Sequence, residues 1–113
     1  MLRITNTDIY LTRGDSALLE LKITDEDGHT WEPTSTDKVI FCLKRSPENP
    51  EPLLTVQAAE GQTDILLYPN DTKELSFGEY IYDIHVETTS GNIFTVIADS
   101  KFEIGKEAHT SWS

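Results

Sequence analysis

Leu75-Ser76-Phe77-Gly78-Glu79-Tyr80-Ile81-Tyr82-Asp83-Ile84-His85-Val86 is the stretch on which the fold turns. Tyr80, Tyr82, Ile84 and Val86 alternate with Ile81, Asp83, His85 and Glu87, the period of a strand with one buried and one wetter face. Just upstream, Pro69 to Leu75 is the one helical candidate, with Pro69 or Asn70 opening a single turn. Downstream, Thr89-Ser90-Gly91-Asn92 reads as a tight turn, and Ile93 to Ala98 runs back beside the first strand. Lys101 to Ile104 extends that return strand past an expected bulge at Asp99-Ser100.

The same grammar holds toward the N-terminus. Ile9-Tyr10-Leu11 is a short strand ended by Arg13-Gly14-Asp15, and Leu19, Leu21 and Ile23 alternate with Glu20, Lys22 and Thr24. Asp25-Glu26-Asp27-Gly28 turns the chain into a short strand within His29 to Glu32. Val39, Phe41 and Leu43 point one way, Lys38, Ile40, Cys42 and Lys44 the other. Pro47, Pro50 and Pro52 predict an irregular loop unable to join a central ladder, followed by strands over Leu53 to Val56 and Asp64 to Tyr68. Fourteen Thr and ten Ile against five Ala favour strands throughout, because β-branched side chains crowd a helix. Seven or eight short antiparallel strands with one helical turn make an all-β sandwich pattern.

The segment Leu75-x-x-Gly78-x-Tyr80-x-Tyr82 resembles the start of the sixth strand of an immunoglobulin domain, where a tyrosine hydroxyl bonds back to upstream backbone. On that resemblance Tyr82 takes the place of the second cysteine, Leu19 or Leu21 that of the first, and Phe41 that of the buried tryptophan. An apolar pin then replaces the disulfide. Gly78, Phe41, Tyr80 and Tyr82 are the fold-defining residues. The expected organisation is an immunoglobulin-like β-sandwich over residues 1–105 and a polar tail over 106–113 that serves as an assembly contact.

The 113 residues suit one domain, whose folding removes roughly 65% of the unfolded chain's surface. Twenty acidic residues face nine basic ones, for a formal charge of −11, and only Lys44 and Arg45 among the basic residues are adjacent. Such a surface repels phosphate backbones and anionic lipid, which argues against nucleic-acid and membrane partners. No apolar run approaches the roughly 20 residues of a membrane helix, and residues 1–5 lack the character of a signal peptide. The expectation is a protein made in a cytoplasm, with Cys42 as its one cysteine and no disulfide.

Motifs that carry chemistry are sparse. Arg13-Gly14-Asp15 is the tripeptide that integrins recognise, yet Gly-Asp before a strand reads as a turn. Asp25, Glu26, Asp27 and Asp37 lack the alternating ligands of a calcium loop. His29, His85 and His109 have no i, i+2 or i, i+4 histidine partner, and Cys42 has neither a histidine nor an acid close to it in sequence. The six glycines stand apart, so no phosphate loop exists, and nothing marks a nucleophile turn. No enzyme, metal or cofactor is therefore expected. Trp31, Trp112, Tyr10 and Tyr68 could build a sugar-stacking platform, although aromatics in a small β-protein more often fill a core or an interface. Trp112, with His109 in the polar tail, suits docking into a neighbour, as does Trp31.

Several segments together carry a further resemblance: Leu11-Thr12-Arg13-Gly14-Asp15-Ser16, Ile23-Thr24-Asp25 with Asp27-Gly28, and Lys38-Val39-Ile40-Phe41. Pro69-x-Asp71-Thr72-x-x-Leu75, Gly78-x-Tyr80-x-Tyr82-Asp83-Ile84, and Thr95-Val96-Ile97 leading to Lys101-Phe102-Glu103-Ile104 belong with them. Over most of residues 8–104 the chain resembles the short structural proteins of tailed phages and prophages of Gram-positive bacteria, in particular the N-terminal immunoglobulin-like module of baseplate upper proteins. The resemblance implies a non-enzymatic adaptor or decoration in the virion, at baseplate, neck, tail or capsid surface, made in the bacterial host cytoplasm. It would dock onto other virion proteins or copies of itself in a symmetric assembly. It implies no catalytic residue, and the chain lacks the long C-terminal region of a baseplate upper protein. The alternative expectation is a small carbohydrate-binding or adhesion module.

Overall fold

The computed structural model describes residues 2–5, 7–24 and 27–106. They form a mostly β protein with one short helix. β9 (Gly78–Glu87) and β6 (Lys38–Ser46) are its antiparallel centre, with Phe41 opposite Ile84 and Leu43 opposite Tyr82. Along β9 the even-numbered residues from Tyr80 to Val86 are buried and the odd ones are not, as the alternation predicts. β10 (Ile93–Gly105) flanks β9 and β7 (Asn49–Gln57) flanks β6. Beyond β10 come β2 (Asp8–Thr12), which runs parallel to it, and β1 (Leu2–Thr5), completing a six-stranded sheet in the order β1-β2-β10-β9-β6-β7.

Two small ladders complete the fold. β3 (Ala17–Leu19) pairs with β8 (Ile65–Leu67), and β4 (Ile23–Thr24) pairs with β5 (Thr30–Trp31) across the expected hairpin. Ala17, Leu19, Ile65 and Leu67 of the first ladder share one core with Ile9, Leu11, Val39, Phe41, Tyr82, Phe102 and Ile104 of the large sheet. At its centre Phe41 stacks on Tyr82, ring centroids 5.4 Å apart, and Phe102 meets both edge-on. Leu21 packs at the margin of this cluster, whereas Leu19 is fully inside it. The Tyr82 hydroxyl donates to the carbonyl of Thr7, tying the N-terminal segment to the core. Burial, with the charge of Asp8 adding, pushes that phenol up to about 12 against a lowering hydrogen bond with Ser100.

The tyrosine expected to close the corner does so, since the Tyr80 hydroxyl donates to the Ser76 carbonyl at 2.7 Å. Gly78 begins β9 at φ 133°, a conformation that L side chains rarely adopt. The helical turn is α1 (Pro69–Lys73), whose Asp71 carboxylate accepts from the Tyr68 N–H at 2.7 Å.

Four details depart from the sequence expectations. The strands are not all antiparallel, because the chain crosses over between β2 and β10 and sets these two side by side in the same direction. The described residues hold ten strands rather than seven or eight, because β1 is added and the run from Leu19 to Thr24 divides at Glu20–Lys22. The proline-rich loop is largely strand, as β7 starts at Asn49 and includes Pro50 and Pro52. It tolerates them because it is an edge strand paired on one side only, with register slips opposite Lys44. The helix ends at Lys73 rather than Leu75.

Candidate interaction surface

β10 is the longest strand, and its two halves have different neighbours. Phe102 to Gly105 is paired on both sides, with β9 and with β2. Among the described residues, Ile93 to Ile97 pairs with β9 alone. The change comes at the bulge, where the register slips between Ile97 and Ser100 and Asp99 adopts φ 45°. Asp8, the first residue of β2, accepts from the Lys101 N–H just past that bulge, and no described strand lies along β10 above it.

This half-paired edge is apolar. Ile93 and Phe94 are 65% and 56% exposed, and Val96 lies at the exposed boundary. Beside it runs a groove of about 760 Å³, lined by Leu21, Ile23 and Trp31 from the region of the β4–β5 hairpin and by Val86, Phe94 and Val96 from β9 and β10. Trp31, half-buried, also lines a smaller depression of about 410 Å³ with Pro33 and Gln62. Edge strands that carry bare apolar side chains are templates for another strand, and natural proteins ordinarily blunt them with charge or proline.

The sequence candidates fall as follows. Trp31 is in the groove. His109 and Trp112 lie outside the described residues, as do Asp25 and Glu26 of the acidic turn. Asp37 is a structural acceptor, taking the Thr34 N–H at 3.0 Å and the Thr89 N–H at 3.2 Å. Those two backbone donors, Thr34 foremost, hold its carboxyl below the usual carboxylate value. Arg13-Gly14-Asp15 is a turn locked onto the α1 region: the Arg13 guanidinium lies 4.1 Å from the Phe77 ring centroid, and the Gly14 N–H donates to the buried Thr72 hydroxyl at 3.2 Å.

The aromatics proposed for a sugar platform are dispersed. Tyr10 pairs with Glu103 and covers Gly105, whereas Trp31 sits by Phe94 to Ile97; at least six residues along β10 separate them, about 20 Å at 3.3 Å per residue. Tyr68, 59% exposed, precedes α1. Phe94 was not singled out by the sequence, because its turn-proximal position reads as ordinary strand alternation. Cys42 and His85, isolated in sequence, come onto one face of the β6–β9 pair. No helix among the described residues is long and apolar enough to cross a membrane. Comparison with family models, with curated proteins and with solved structures finds no match.

Proposed function

We propose that the chain is an immunoglobulin-like β-sandwich and a non-enzymatic structural protein of a tailed phage or phage-like particle, an adaptor or decoration that acts by docking. Support for the sandwich comes from order and packing. β2 lies parallel beside β10, followed by β9, β6 and β7, while the β3–β8 ladder joins the core of that sheet. In this reading the Tyr80–Ser76 hydrogen bond and the Phe41–Tyr82 stack correspond to the tyrosine corner and to the tryptophan-on-disulfide core.

The observation that carries the docking role is the apolar, half-paired edge of β10 above its bulge. A strand from another virion protein or from a second copy adds there through main-chain hydrogen bonds, with its side chains entering the groove beside Trp31. The charge of −11 suits a basic partner surface. His109 and Trp112 in the tail are further contacts in this reading.

Mass spectrometry of gradient-purified particles tests it. The chain is expected to co-sediment with capsid or tail proteins at a fixed ratio, and Phe94→Glu is expected to abolish that while leaving the isolated protein folded. A chain that stays in the soluble fraction overturns the virion role, and glycan binding by the free protein through Trp31 is then the competing account. Full incorporation of Phe94→Glu overturns the β10 edge as the contact.

A further inference from the structure

The β6–β9 pairing brings together donors that the sequence keeps apart. Because Val39, Phe41 and Leu43 face the core, Ile40, Cys42 and Lys44 lie on the opposite face of the sheet, as do Asp83 and His85 of β9. Cys42 is directly opposite Asp83, and Ile40 is opposite His85, so the thiol, the carboxylate and the imidazole converge on one spot. One donor atom from each of Cys42, Asp83 and His85 lies within 4.8 Å of the other two. All three side chains are largely shielded from water: Cys42 is 9% exposed, and the Asp83 and His85 side chains are 17% and 23% exposed.

We infer that Cys42, Asp83 and His85 form a binding site for a divalent cation of the Zn²⁺ class. Sulfur, nitrogen and a single carboxylate suit Zn²⁺ and its borderline neighbours, whereas Ca²⁺ and Mg²⁺ take oxygen ligands. Metal–ligand bonds of about 2.0–2.3 Å put tetrahedral donors roughly 3.3–3.8 Å apart, so these three need to close by only about 1 Å, within reach of small side-chain rotations. The backbone needs no change, since both strands are held in an unbroken ladder from Lys38 to Lys44.

The second layer around the site is also in place. Lys44 Nζ holds Asp83 Oδ2 at 2.5 Å, which leaves Oδ1 on the side of His85, 4.0 Å from its Nδ1. A carboxylate with one oxygen held by a hydrogen-bond donor and the other turned to the metal is the usual outer-shell arrangement. On the far side of Cys42 the Thr55 hydroxyl stands 3.9 Å from the sulfur. Three protein ligands leave the fourth tetrahedral position to water. The site lies on the face opposite the core and does not depend on the docking role proposed for β10.

Cobalt(II) is the probe, because thiolate ligation produces an ultraviolet charge-transfer band that surface carboxylates cannot. Added to the metal-stripped full chain, Co²⁺ is expected to give that band at one equivalent and to be displaced by Zn²⁺. Cys42→Ser should abolish the band, and His85→Gln should weaken Co²⁺ binding by about tenfold or more. His29→Gln, at an exposed position in the connection between β4 and β5, should leave it unchanged. Absence of the band in the folded wild-type chain, or an undiminished affinity in His85→Gln, overturns the site. Should Cys42→Ser fail to fold, alkylation of the wild-type thiol decides: Zn²⁺ is expected to slow it at least about tenfold, and an unchanged rate overturns the inference.

Discussion

Tyr80 donates its hydroxyl proton to the carbonyl oxygen of Ser76 at 2.7 Å, closing the segment between α1 and β9 over its own backbone. The ring beneath is buried, and the Arg45 guanidinium lies 4.8 Å from its centroid. Tyr80→Phe keeps the ring and removes one hydrogen bond, so the expected loss is about 1 kcal/mol of unfolding free energy. Chemical denaturation measures it. An unchanged midpoint would show that the corner contributes nothing.

Tyr82 makes stability fall at high pH. Its folded phenol titrates near 12, above the ordinary tyrosine value of about 10. The native state therefore holds the proton that the unfolded chain releases. The contribution is complete below about pH 10 and is lost as pH rises toward about 12, an amount on the order of 2–3 kcal/mol. Tyr82→Phe removes that titration along with the bond to the Thr7 carbonyl. The stability difference between wild type and Tyr82→Phe should shrink over this window, and parallel alkaline curves would contradict the assignment.

Asp37 acts at the opposite end of the pH scale. The Thr34 and Thr89 N–H groups lower its folded value, so its contribution is present above the unfolded value of about 3.9 and disappears as pH falls through the folded one. Asp37→Asn should therefore be less stable than wild type at neutral pH and converge with it in acid. A gap that persists in acid would mean the substitution acts by another route.

Gly105 has no room for a side chain. A Cβ there would fall 1.9 Å from the Tyr10 hydroxyl and 2.4 Å from its Cζ, so Gly105→Ala must displace the Tyr10 ring. The expected cost is about 1–3 kcal/mol. In a Tyr10→Ala background the same substitution should cost much less, and a double-mutant cycle reads the difference. Equal costs in both backgrounds would place the strain elsewhere.

Much of the β architecture was legible because its signals are local. Tyr80 to Val86 announce a half-buried strand by alternation alone, and Asp25 to Gly28 predict the hairpin that joins β4 and β5. Phe41 and Tyr82 are expected at the centre of the core from the resemblance to an immunoglobulin strand, and they stack in the core. Residues 49–52 were misjudged because proline is excluded from central strands but tolerated at an edge, and edge position is set by which strands come to lie alongside.

The candidate sites were less legible. Trp31 could be picked out as an aromatic without obvious core periodicity, but its neighbour Phe94 could not, because the groove forms between a hairpin and a strand some 60 residues apart in the chain. Cys42, Asp83 and His85 carry no recognisable spacing, since Cys42 lies about 40 residues from the other two and only the β6–β9 register sets them side by side.

The sequence by itself determined most of the strands, their buried faces and the bond from Tyr80 back to upstream backbone, because side-chain alternation and turn chemistry act within a few residues. Only the tertiary structure decided that, among the described residues, upper β10 pairs on one side and that a thiol, a carboxylate and an imidazole share one face. Both depend on cross-strand pairing, which is long-range and leaves no imprint on local pattern.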